Sequence, residues 1–272
     1  MTGLYTEIAD LVRARKPLVH HITNYVTVND CANMTLNIGG SPIMADALEE
    51  AEEIAGLASA LVLNMGTLNE RTIPSMLAAG RAANRRGIPV VFDPVGAGAG
   101  KLRNETAERI LEEVQITVLR GNISEIRFIA GLRSETKGVD ASERDLADQG
   151  GAEEAAKSLA RKLECVTAVT GPVDIVSDGK KVIRIENGHP LLAEITGTGC
   201  MCSSLTGACC GAVPESPLEA AVCALLCMGI AGELAYEKAG TEGNGSFRMA
   251  LHDAVSRMNA ETLAGRARIY EA

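Results

Sequence analysis

The segment Thr196-Gly197-Thr198-Gly199-Cys200 leads directly into MCSSLTGACCGA, a run of small residues that predicts a helix. Glycines before a helix let the backbone approach a ligand closely. The amides of Gly197 to Cys200 then lie at the positive end of the helix dipole, an anion hole suited to a phosphoryl group in transit. Asp93 closes an apolar run and precedes PVGAGAG, while Asn122 and Glu125 form an N-x-x-E pattern where a helix begins. The carboxylate oxygens of Asp93 and Glu125, with the amide of Asn122, are the oxygen donors that hydrated Mg2+ takes. Arg120 stands beside them and Thr170-Gly171 ends another apolar run. Singly, each has a plainer reading: a tight turn for the glycines, a turn residue for Asp93, dipole complementation in a first helical turn for Glu125. Their co-occurrence describes Mg2+-assisted phosphoryl transfer from ATP.

Such residues need a scaffold that gathers loops on one edge. From residue 60 onward short, β-branched, nearly continuous apolar runs alternate with helical patterns: ALVLN (60–64), PVVFD (89–93), ITVLR (116–120) and VTAVT (166–170). Such runs read as strands of a parallel sheet buried by helices on both faces. In that α/β class, ligands collect beyond the carboxyl ends of the strands. The following loops, PVGAGAGK, GNISE and GPVD, are therefore expected to converge with ITGTGC. After VTAVT, two further runs joined by Asp178-Gly179 predict a hairpin and an antiparallel edge. From Gly199 to Leu263 the chain is rich in Ala, Leu, Cys and Met, which predicts helix packed on helix. No linker or fixed-period repeat divides residues 1–272, so one domain is expected.

Composition narrows the functional classes. With 46% hydrophobic and 22% charged residues the chain is globular rather than disordered, and a net charge of -9 opposes attraction to nucleic acid or anionic lipid. Eight cysteines, at 31, 165, 200, 202, 209, 210, 223 and 227, form no CxxC pair and have no histidine at metal-ligand spacing. They read as reduced thiols, which predicts a cytoplasmic setting. The first residues read as an amphipathic helix rather than a signal core. No apolar run of about 18 residues is evident, so no membrane span is expected.

Five motifs, in order, carry a resemblance over essentially the whole chain. PLVHHITNYVTVNDCANMTLNIGGSPIMADA (17–47), VVFDPVGAGAG (90–100), VLRGNISEI (118–126), VTGPVDIVSDG (169–179) and ITGTGCMCSSLTGA (195–208) are similar to those of the hydroxyethylthiazole kinase family, in the ribokinase-like superfamily. The resemblance implies a ribokinase-like sandwich. It also implies transfer of the ATP γ-phosphate to the primary hydroxyl of 4-methyl-5-(2-hydroxyethyl)thiazole, in thiamine biosynthesis or salvage. Carried over by position, the backbone around Met44 and Gly197 would bind the thiazole, with Asn24 a further polar contact. Arg120 and Thr170 would contact ATP, with Asn122 beside them. Asp93 and Glu125 would organise Mg2+, and Cys200, with Gly197, Thr198 and Gly199, would form the catalytic turn. A homotrimer with sites between subunits is also implied.

The wider superfamily ends this motif as GTGD, whereas here the last position is Cys200. At a helix N-terminus its pKa is expected to fall towards neutrality and supply some thiolate. Positioning and charge neutralisation carry most of a loose phosphoryl transfer, so Cys200 is expected to be an adequate but non-essential base. A β-branched residue at Gly197 or Gly199 is expected to obstruct the hole while leaving the fold intact. Other readings stay open: a hydroxymethylpyrimidine-type kinase, a nicotinamide-nucleotide repair dehydratase, a non-catalytic sensor, or a cysteine hydrolase using Cys200. Of the histidines, His20 and His21 alternate on a strand and read as core, His189 shapes either the ATP side or a turn, and His252 reads as helix surface. With no Trp, three Phe and four Tyr, the adenine is expected among aliphatic side chains.

Overall fold

The computed structural model describes residues 3–131 and 149–271. Its frame is one nine-stranded sheet. The strands are β1 (Leu18–Ile22), β2 (Ser41–Met44), β3 (Ala60–Asn64), β4 (Val90–Asp93), β5 (Val118–Asn122), β6 (Val166–Thr170), β7 (Asp174–Ser177), β8 (Val182–Ile185) and β9 (Ile269–Glu271). Their spatial order is β2-β1-β3-β4-β5-β6-β7-β8-β9. The first six run parallel, and β7, β8 and β9 extend the sheet beyond β6, each antiparallel to the strand before it.

Strand side chains alternate between two cores. Val19, Val62, Val91 and Val118 face α1 (Gly3–Arg15), α2 (Val28–Ile38) and the late helices α8 (Thr198–Ala212), α9 (Pro217–Ala239), α10 (Asn244–Ser256) and α11 (Ala260–Arg266). Leu61, Leu63, Phe92 and Leu119 face α3 (Leu48–Leu57), α4 (Thr72–Arg85), α5 (Lys101–Glu113), α6 (Ile123–Ile129) and α7 (Gln149–Leu163). Burial on both faces is why the parallel strands are continuously apolar.

Three readings of the sequence shift. The ITVLR strand is displaced: β5 runs through Arg120, Gly121 and Asn122, and α6 starts at once behind it, so GNISE is strand and helix rather than loop. The edge strand β2 carries Pro42 and Met44, which a pattern of β-branched runs overlooks, and β9 closes the far edge. Finally, α9 is long and apolar enough by composition to cross a membrane, contrary to the expectation of no such run, but 83% of its most apolar window is buried within the structure. It is a core helix whose apolar surface is spent on packing.

Candidate active site

The parallel strands deliver their last residues to one edge of the sheet, where Asn64, Asp93, Asn122 and Thr170 end β3, β4, β5 and β6. The start of α8 lies over them. Gly197 takes φ +86° and its carbonyl accepts the first helical hydrogen bond, from Met201 N at 2.9 Å. The amides of Thr198, Gly199 and Cys200 therefore sit at the open end of the helix, where no carbonyl four residues back can accept from them. A Cβ on Gly199 would lie 2.7 Å from Nη1 of Arg120, and one on Gly197 2.3 Å from Cγ2 of Thr27. Both glycines are needed for the turn to sit this close. The expectation that bulk at Gly197 leaves the fold intact is corrected, since its positive φ and Thr27 both oppose a side chain.

Asp93 is the electrostatic centre. Its Oδ2 accepts from Ser203 Oγ at 2.7 Å and Asn64 Nδ2 at 3.0 Å, and meets Arg120 Nη1 at 3.4 Å. Its Oδ1 is buried with no partner. Burial pushes the carboxyl above its usual range, opposed by Arg120 and by the Ser203 and Asn64 hydrogen bonds. Burial likewise works against the Arg120 charge, but the anionic groups around it, Asp93 foremost, more than offset this and raise its pKa. Arg120 Nη2 donates to Thr170 Oγ1 at 2.6 Å.

Glu125 and Asn122 form a reciprocal capping box: Glu125 N donates to Asn122 Oδ1 at 2.9 Å and Asn122 N to Glu125 Oε2 at 2.8 Å. Glu125 Oε1 accepts from Gly96 N at 2.8 Å, which ties α6 to the loop after β4. Burial, then the charge of Asp93, pushes Glu125 up to about 7. Two acids that resist sharing negative charge are a fitting place for a divalent cation. The orphaned Oδ1 of Asp93 is a vacant donor for it. Among the described residues no group of three or more His, Cys, Asp or Glu is placed to hold a metal ion. Mg2+ keeps several waters and binds through one or two carboxylates and substrate phosphates.

On the other side of the turn, Asn24 Nδ2 donates to Asn64 Oδ1 at 3.0 Å and to Cys200 Sγ at 3.3 Å, while Asn24 Oδ1 accepts from Thr27 N and Oγ1, both at 3.1 Å. Asn24 thus spends its amide on Cys200 and its neighbours. The thiol of Cys200 is raised, not lowered, by burial and by Asp93, which corrects the expectation of a helix-activated thiolate. Its side-chain partner is an amide rather than a histidine, so the hydrolase reading lacks its base. Met44 ends β2 beside His21 on β1, 36% exposed, and the next carbonyl, of Ala45, bonds His20 Nε2 at 2.7 Å. His20 and His21 are buried, as read; His252 is not a surface residue but bonds Asn37 and faces Asp30 between α2 and α10. Sequence reasoning overlooked Asn64 and Ser203.

A cleft of about 630 Å³ opens from Arg120, Thr170 and Gly199 towards Pro172, Leu192 and Met228. Thr198 Oγ1 braces its wall by donating to Leu192 O at 3.0 Å. His189 lines the cleft and also caps the short 3-10 turn Pro190–Glu194, the turn role read for it, and it stacks on Tyr236 with ring centroids 3.8 Å apart. A larger groove, about 800 Å³, lies at the amino ends of the strands, beside Gln115 and Cys165, and contains none of these groups.

Known proteins resemble this chain over nearly its whole length. The model of the hydroxyethylthiazole kinase family matches residues 9–261. Hydroxyethylthiazole kinases of Ruminiclostridium cellulolyticum and Clostridium beijerinckii are 56% and 57% identical, over 99% and 96% of this chain and 98% and 94% of theirs. The solved hydroxyethylthiazole kinase structure from Pyrococcus horikoshii superposes with a TM-score of 0.89 at 42% identity, covering 98% of both chains. A pyridoxal kinase from Staphylococcus aureus shares the fold alone, with a TM-score of 0.59 at 16% identity over 80% of this chain and 88% of that one.

Proposed function

This chain belongs to the hydroxyethylthiazole kinase family, and from that footing we propose that it transfers the γ-phosphoryl group of ATP to the primary hydroxyl of 4-methyl-5-(2-hydroxyethyl)thiazole, with Mg2+ required. The observation that carries the reading is the convergence, on one strand edge, of the open α8 amides with Arg120 and the partnerless Oδ1 of Asp93.

ATP lies in the cleft with its phosphates towards Arg120, Thr170 and the amides of Thr198 to Cys200. The thiazole lies on the Met44, Asn24 and Gly197 side. The substrate hydroxyl oxygen forms a bond to the γ-phosphorus as the bond from that phosphorus to the β–γ bridging oxygen breaks, and ADP leaves with the electron pair. Arg120 and the amides stabilise the charge spread over the three equatorial oxygens. Asp93 and Glu125, with waters, are the residues that would hold Mg2+, which supplies charge neutralisation when bound. The hydroxyl proton departs late in a loose transition state, so the new ester's phosphoryl oxygens or water receive it without a strong base at Cys200. Asn24 holds Cys200 in place rather than contacting the alcohol through a free amide. A trimer is part of the same proposal: Tyr25, next to Asn24, and Met44, at the end of edge strand β2, are exposed apolar residues open to a partner.

Phosphorus NMR of the purified protein with Mg2+, ATP and a panel of hydroxyethyl heterocycles, pyrimidine alcohols and sugars tests this. Preferential formation of the thiazole phosphate ester is expected; preferential phosphorylation of a pyrimidine alcohol or sugar would overturn it.

A further inference from the structure

Arg103, in the first turn of α5, engages no carboxylate among the described residues. Instead its guanidinium donates to three backbone carbonyls: Nη1 to Met65 O at 2.8 Å and to Val95 O, and Nη2 to Gly66 O at 2.6 Å. Met65 and Gly66 follow β3; Val95 follows β4. Each loop continues into a different half of the site. Gly66 N donates to Asn64 Oδ1 at 2.9 Å, and a Cβ on Gly66 would lie 2.6 Å from Nδ2 of Asn24, the atom that also reaches Cys200. Gly96, next to Val95, donates to Glu125 Oε1. Gly96 takes φ +74°, and a Cβ there would lie 3.0 Å from Cδ of Arg103, so the arginine packs flush against the loop.

A continuous path thus runs from Cys200 through Asn24, Asn64 and Gly66 to Arg103, and on through Val95 and Gly96 to Glu125. We propose that Arg103 is a positioning residue for the reaction, fixing the separation between the turn that receives the alcohol and the acid that serves the metal. This inference rests on the kinase reading above. Only a planar, forked donor reaches carbonyls on two loops at once; the compact ammonium of lysine keeps the charge and loses the fork. Three bonds to backbone carbonyls of two loops make the role geometric. A displacement of about 1 Å between reacting groups costs roughly 100-fold in rate.

The test compares wild type, Arg103→Lys and Arg103→Ala by steady-state kinetics with the thiazole alcohol, by calorimetric binding of Mg2+ with ADP, and by thermal melting, with and without millimolar guanidinium. In both variants kcat is expected to fall about 10- to 100-fold while KM for the alcohol changes less than about threefold, with added guanidinium restoring part of the loss in Arg103→Ala. A folded Arg103→Lys with kcat within about twofold of wild type overturns the proposal, as does a loss confined to melting temperature. If Arg103→Ala does not fold, Arg103→Lys alone carries the test. If the wild type makes no thiazole phosphate, the functional reading falls separately. Binding of Mg2+ with ADP then decides: several-fold weaker binding by Arg103→Lys supports the clamp, and unchanged affinity removes it.

Discussion

Cys200 stands in the turn that opens α8 as a raised, amide-bonded thiol, and this decides what its replacement should do. Cys200→Asp is expected to keep or raise kcat. Cys200→Ala is expected to lose less than about tenfold, because loss of a true general base costs roughly 100-fold or more. A folded but inactive Cys200→Asp, or a collapse of Cys200→Ala, would contradict this in a coupled ADP-release assay. Ser203 makes the opposite case. Its hydroxyl is one of the donors that orient Asp93, and a hydrogen bond to a charged group contributes about 1.5–3 kcal/mol. Ser203→Ala should therefore lower both Tm and kcat, measured by calorimetry and kinetics. Asp93, Arg120, Glu125 and Cys200 were legible in the sequence because polar or charged groups stand out at strand ends and beside glycine-rich turns. Ser203 was not, because it lies inside a helix of small residues and reaches Asp93 only through the fold, 110 residues away.

At the level of elements, β1 carries two buried histidines, His20 bonded to the Ala45 carbonyl after β2 and His21 to the Thr35 hydroxyl of α2. Burial lowers His20, and burial followed by the neighbouring His20 lowers His21 to about 3. Unfolded, a histidine takes its proton near 6.5; here the folded chain refuses it until near 3, so the unfolded state binds more protons in between. Stability must fall as pH drops through that window, with a slope of up to about 1.4 kcal/mol per pH unit per histidine, and is fully present above it. His21→Gln, which leaves an amide near Thr35, should flatten the fall in Tm between pH 7 and 5; an unchanged slope would remove β1 from the account. The central strands were readable because burial on both faces forces continuous apolar runs. The edges were not: β2 and β9 need no such run, and the register of β5 hid because Arg120 and Asn122 are polar residues inside a strand.

For the whole molecule, charge dominates. A chain at -9 repels a polyphosphate, and the counterweights are local: Arg120, the helix terminus and, in the proposed reaction, a divalent ion. Removing Mg2+ with EDTA should weaken ATP binding at least about tenfold in calorimetry, since the acids of the site otherwise face the phosphates unscreened. Equal affinity with and without the metal would contradict the role given to Asp93 and Glu125. Light scattering should return three times the chain mass, and a monomer that retains full activity would exclude a site shared between subunits.

The central claim is that the open end of α8 cradles the migrating phosphoryl group. Its most direct test is a crystal structure with Mg2+, ADP, aluminium fluoride and the thiazole alcohol bound together. The fluoride mimic should lie about 3 Å from the amides of Thr198 to Cys200, with Arg120 alongside and Mg2+ towards Asp93. A mimic seated elsewhere, with that turn packed against protein, would contradict it.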